Sequence, residues 1–144
     1  MLLHQLSRSM KTRHQLAEVL KRREIPEDIS LGVLDRFEEA QLIDDKAFAE
    51  AFVRSRISLG KGKSVIQREL RSKGVAPEII EQATLELSQE QEQQIADELA
   101  ANRLSRMRGL DSKTIERRVI GFLQRRGFSN QVAFSALRKA LLER

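Results

Sequence analysis

The chain predicts an all-α protein, an elongated tandem array of three-helix repeats, and three observations carry that reading. Apolar residues recur at spacings of three and four in almost every window, with little of the β-branched alternation that a half-buried strand needs. Only two prolines and seven glycines punctuate 144 residues. The chain is also self-similar: residues 12–34, 62–84 and 115–137 align without a gap, so a repeat spans about fifty residues. A two- or three-helix unit of this size buries too little apolar surface alone, so neighbouring repeats must share their apolar edges. The expected boundaries are 1–59, 60–108 and 109–144, the last repeat having two helices.

Each repeat opens with a helix whose apolar stripe runs through Leu16 and Leu20, Ile66 and Leu70, or Val119 and Leu123. A tight corner follows at Glu24, Gly74 and Gly127. The second helix starts near Pro26, Pro77 and Ser129, where the missing proline N–H costs least. Its stripe is Ile25, Ile29 and Val33, then Val75, Ile79 and Ala83, then Phe128, Val132 and Ala136. A third helix completes the first two repeats. In repeat one Asp44 caps it, Asp45 sits at its positive end, and Ala47, Phe48, Ala51, Phe52 and Ser55 form its buried face. In repeat two Ser88 and Gln91 pattern a capping box ahead of Ile95, Leu99 and Arg103. Residues 60–62 and the stretch from Gly109 to Asp111 mark joints between repeats.

Composition narrows the function. With 40% hydrophobic and 33% charged residues, the chain is long enough to bury about two-thirds of its unfolded surface. No apolar run approaches a membrane span, no secretory leader opens the chain, and no cysteine offers a disulfide or a thiolate metal ligand. The expectation is a cytoplasmic monomer without membrane association. The six phenylalanines, Phe134 among them, fall in apolar stripes and read as core, so few rings remain for stacking bases.

Charge is the main functional clue. The net charge is +5, and its distribution says more than its sum. The windows 8–23, 54–73 and 103–126 hold 21 of the 26 basic residues and only 4 of the 21 acids, so they carry +17 while the remainder carries −12. A solvated helical surface mixes its signs; here a basic stretch recurs with the first helix of every repeat. Long basic side chains can also serve simply to cover core edges and keep a body soluble. The recurrence points instead to a polyanionic surface, nucleic acid or a nucleoprotein assembly.

Candidate catalytic motifs are weak. GKGKS at 60–64 resembles the end of a phosphate-binding loop, but Ile57 stands where the full spacing requires glycine and no strand precedes it. Two glycines with Lys61 and Lys63 could still bring backbone amides to a DNA phosphate, and Ser64 with Gln67 could open a helix. Asp44, Asp45 and Glu50 are better explained by capping than by a metal. His4 and His14 have no carboxylate or serine arranged around them. No cofactor and no enzymatic activity are expected.

The segment LIDDKAFAEAFVRSRISLGKGKSVIQRELRSKGV, residues 42–75, resembles the signature of the RecX family, bacterial regulators of the RecA recombinase, and LQRRGF at 123–128 resembles its closing segment. The likeness covers nearly the whole chain, with Glu24 standing where the family commonly has a corner glycine. It implies a tandem array of three-helix units that binds RecA and RecA–DNA filaments, lies along the filament groove and limits extension, ATP hydrolysis and strand exchange, within regulation of DNA repair and the SOS response. The residues expected to contact recombinase or the DNA phosphate backbone, weakly and without sequence preference, are Arg54, Arg56, Lys61, Lys63, Arg68, Arg71 and Lys73, with Arg117, Arg118, Arg125 and Arg126. The alternative is a sequence-tolerant or helix-turn-helix-type DNA-binding protein without a recombinase partner. That alternative needs one helix offering Arg, Asn and Gln to base edges, whereas the charge here is spread over three repeats.

Overall fold

The computed structural model describes residues 10–85 and 87–144. Among these residues are eight helices and no strand: α1 Arg13–Arg22, α2 Glu27–Glu39, α3 Asp45–Ser58, α4 Lys63–Ser72, α5 Pro77–Thr84, α6 Gln89–Ser105, α7 Ser112–Arg125 and α8 Asn130–Leu142. Their starts follow the sequence chemistry. Thr12 and Gln15 form a capping box at α1, Ser88 and Gln91 another at α6. The Asp111 and Ser129 side chains accept from the N–H groups of Thr114 and Val132. Asp44 accepts from the Ala47 N–H at 3.1 Å, as its position predicts.

The three predicted corners share one geometry. Glu24, Gly74 and Gly127 have φ of 58°, 80° and 100°. After each, the next amide reaches back five residues: Ile25 to the Leu20 carbonyl, Val75 to Leu70 and Phe128 to Leu123, at 3.1–3.2 Å. That is a Schellman closure, and it satisfies carbonyls that a helix end would otherwise leave open. Glu24 therefore turns as tightly as the glycines do.

The chain divides into two compact units, Met1–Val53 with Arg68–Thr84, and Arg54–Gln67 with Leu85–Arg144. In the first, Leu16, Leu20, Leu34 and Ile43 form a buried cluster to which Ile25, Val33 and Phe37 add partly buried surface. In the second, α8 packs most extensively on α6 and also on α7. Ala96, Ala100, Ala133, Ala136 and Ala140 join Leu104, Val119, Leu123, Phe128 and Leu137 in that core.

The buried faces of four helices lie about one residue from the expected stripes. On α2 and α5 the buried positions are Ser30 and Leu34, and Ile80 and Thr84, while Ile29 is 54% exposed. On α3 they are Ala49, Phe52 and Val53, and Ser55 lies in solvent; on α6 they are Ala96, Ala100 and Leu104, beside the expected Ile95, Leu99 and Arg103. On α6 the small Ala96 and Ala100 admit close approach of the neighbouring helix, so they take the seam ahead of the bulkier Ile95 and Leu99.

Candidate nucleic-acid interface

Each unit contains one junction between repeats, and the same backbone positions make both. In the first unit the Thr12 hydroxyl donates to the Lys73 carbonyl at 2.6 Å, and His14 lies so near Gly74 that an added Cβ would fall 2.1 Å from the His14 Cβ. In the second, the Gly62 N–H donates to the Arg126 carbonyl, the Ser64 hydroxyl donates to the Gly127 carbonyl at 2.8 Å, and a Cβ on Gly127 would fall 2.6 Å from Val65 Cγ2. A corner glycine thus seats the first turn of the preceding repeat's opening helix.

Of the carboxylates weighed as metal ligands, Asp44 caps α3 and Asp45 is used at the first junction. Asp45 accepts from the Arg13 N–H at 2.9 Å, and Glu92, also an acid in the first turn of its helix, accepts from the Lys63 N–H at 2.9 Å. Burial pushes the Asp45 carboxyl above its usual range, opposed by the Arg13 amide. The Asp111 carboxyl is held below it, chiefly by hydrogen bonds from Thr114 and in smaller part by the charge of Arg117. Among the described residues no three His, Cys, Asp or Glu side chains gather as metal ligands. His14 is exposed, 4.0 Å from Glu18, and His4 lies outside the described residues.

The loop at 60–63 corrects an expectation. Its amides are consumed internally: Gly60 bonds Ile57, Lys61 bonds Arg56, Gly62 bonds Arg126 and Lys63 bonds Glu92. With those four donors occupied and Gly62 buried, no phosphate cradle remains there, and the Ser64 hydroxyl serves the junction instead of capping α4.

The basic residues separate into two groups. Arg54, Arg68, Arg71, Arg117, Arg118 and Arg125 are exposed, and none has an acid within ion-pair distance among the described residues. Lys61 and Lys63 are half-exposed beside them in the chain. Arg126 is committed to the fold: its guanidinium donates to the Leu59 carbonyl at 2.7 Å and lies 5.1 Å from the Phe122 ring, which Arg103 covers at 4.3 Å. Lys73 holds its ammonium 5.6 Å from the Phe52 ring, and Arg56 is also engaged. Arg13, inside the first basic window, is spent on Asp35 and Glu38 at 2.8 and 2.7 Å. Lys113, Arg106 and Arg108 are exposed cations that the sequence reading left out of the site, although they lie inside its third basic window.

Comparison with known families decides what this framework is. Models for the first, second and third three-helix domains of RecX match residues 1–37, 44–83 and 89–137 in order. The chain belongs to the RecX family. The protein named Regulatory protein RecX from Streptomyces coelicolor is 45% identical over 139 residues, covering 96% of this chain and 74% of that protein. Its namesake from Thermobifida fusca is 40% identical over 137 residues, covering 94% and 74%. A crystal structure of regulatory protein RecX superposes with a TM-score of 0.83 at 30% identity, covering 96% of this chain and 68% of that one. The RecX structure from Lactobacillus salivarius gives 0.83 at 26% identity, covering 97% and 92%. The RecX domains group α3–α5 and α6–α8, so the family's unit opens one helix earlier than a repeat that begins with the basic helix. No helix among the described residues is long and apolar enough to cross a membrane.

Proposed function

We propose that this RecX-family chain is a regulator of the RecA recombinase that binds RecA–DNA filaments and restrains their extension and ATP hydrolysis without catalysing a reaction. The observation that supports it is the set of exposed, unpaired arginines recurring along repeats 1–59, 60–108 and 109–144 of a RecX framework. Arg54, Lys61, Lys63, Arg68 and Arg71, with Arg117, Arg118 and Arg125, are the contacts to filament DNA phosphates or acidic recombinase surface. Arg56, Lys73 and Arg126 act behind them, in packing. Each exposed cation contributes little alone, and several on one polymer act together through effective concentration. Occupying one filament geometry in preference to another shifts the population without a chemical step.

The reading places the protein in the cytoplasm as a monomer, within regulation of DNA repair. The test is to add it to preformed RecA–single-strand filaments and follow ATP hydrolysis. Loss of activity well below one protein per recombinase subunit is the expected result. Filaments unaffected at any ratio, together with tight binding to one duplex sequence, would replace this reading with that of a helix-turn-helix DNA-binding protein.

A further inference from the structure

One face of α7 meets Phe134 of α8 in an open groove of about 450 Å³ that the fold itself does not explain. Lys113, Arg117, Gly121 and Gln124 line it from successive turns of α7, with Ile120 at its base and Glu116 also on its wall. Phe134 is 38% exposed, whereas the other five phenylalanines are buried or half-buried, so its expected place in the core is corrected here. Gly121 is the second anomaly. In mid-helix it weakens α7 relative to alanine, and packing does not require it, since an added Cβ would meet only the mobile end of Arg125 at 3.2 Å. The notch, with the Arg125 side-chain end over Gly121, lies beside an exposed ring and is flanked by the unpaired cations Lys113 and Arg117.

We propose that this notch is a nucleotide subsite, taking one unstacked base of a single-stranded nucleic acid against Phe134. The missing Cβ of Gly121 lets the base lie close against the α7 surface. Lys113, Arg117 and Arg125 receive the flanking phosphates. Gln124 donates through its amide nitrogen to Asn130, which leaves its carbonyl oxygen to accept from an exocyclic amino group. An aromatic ring, an amide and cations from successive turns of one helix, gathered on one groove, match an unstacked nucleotide with its flanking phosphates. An acidic peptide would use the cations alone. The Glu116 carboxylate directs the phosphates toward the Arg117 and Arg125 side of the groove. The inference rests on the nucleic-acid contact proposed above, and adds that the strand is single and where one base sits.

The test uses the full chain and an oligodeoxyadenylate probe, with no recombinase present. The protein has no tryptophan, so Phe134→Trp places a single indole in the groove, and the oligonucleotide should quench it while a polyglutamate peptide should not. Phe134→Ala should weaken oligonucleotide binding about five- to a hundredfold with an unchanged salt dependence, because stacking releases no counterions. Gly121→Ala should raise the melting temperature yet weaken binding severalfold, a combination that damage to the fold cannot produce. Binding unchanged in both Phe134→Ala and Gly121→Ala overturns the subsite, as does indole quenching by polyglutamate alone. If Phe134→Ala still inhibits filaments normally but both variants bind the oligonucleotide like wild type, only the subsite falls. If the oligonucleotide binds through Phe134 while filaments ignore the protein, the regulator reading falls and the subsite stands.

Discussion

Glu24, Gly74 and Gly127 take the same left-handed corner but meet different surroundings. Gly74 and Gly127 each face a neighbouring helix start at distances that leave no room for a Cβ, while the Glu24 side chain lies in solvent. Gly127→Ala combines left-handed strain with a clash against Val65 and should cost more than about 2 kcal/mol in urea denaturation. Glu24→Gly removes the strain but loosens the unfolded chain, so it should leave stability within about 1 kcal/mol of wild type. The two perturbed aspartates make a paired test with opposite signs. Asp45 has a raised folded-state pKa, so its folded form holds its proton longer than the unfolded chain does, and its contribution to stability falls as pH rises through that range. Asp111 has a lowered one; its contribution is present above the unfolded value and is lost as pH falls through the folded pKa. Urea midpoints measured from about pH 3 to 7 should therefore shift in favour of Asp45→Asn as pH rises, and in favour of wild type over Asp111→Asn. Parallel profiles for the two variants would refute the assigned causes.

At the scale of the helix, the termini rather than the stripes carry the repeat. Thr12 is fully buried, accepts from the Gln15 N–H at 3.1 Å and donates to the Lys73 carbonyl. Thr12→Val keeps the shape and removes both bonds, and should cost about 1–2 kcal/mol in chemical denaturation. Asp44→Ala loses one exposed cap and should cost about 1 kcal/mol, with added divalent metal changing nothing; metal-dependent activity lost in this variant would instead revive the carboxylates as ligands. Caps and corners were legible because a few residue types satisfy them: Asp44, Ser88 with Gln91, Ser129 and two of the three corner positions announce themselves. Glu24 was legible only through its alignment with Gly74 and Gly127. The corner after α2, where Gln41 has φ of 60°, has neither a glycine nor a repeat partner to reveal it. The seams of α2, α3 and α6 were read about one position off because Ser30, Ala49, Ala96 and Ala100 signal burial weakly by hydrophobicity, whereas the stripes of α1, α4, α7 and α8 are buried as read.

Over the whole molecule, segregation of charge was visible in the sequence, but the distinction between cations that face solvent and cations that hold the fold was not. Arg117, Arg118, Arg125 and Arg126 look alike in RRVIGFLQRR, and only the neighbouring Leu59 carbonyl and Phe122 ring set Arg126 apart. Charge reversal should respect that difference. Reversing Lys61, Arg68 and Arg71 to Glu, or Arg117, Arg118 and Arg125 to Glu, changes side chains that no described acid pairs with, so circular dichroism and thermal stability should remain close to wild type. Lys63 is left in place, since a glutamate there would stand beside the Glu92 carboxylate that caps α4. If both sets touch one filament, each triple variant should weaken inhibition of RecA ATP hydrolysis by at least about tenfold, because a multivalent ligand loses effective concentration when either group detaches. If all three contacts of a set are to single-strand phosphates, the slope of log affinity against log salt should fall by about 2. Arg126→Ala is the control and should behave in reverse, with a lower melting temperature and, at temperatures where it remains folded, near-normal inhibition. Full inhibition by both folded triple variants would mean that the basic windows serve solubility, and the functional surface would have to be sought among the acidic and apolar faces instead.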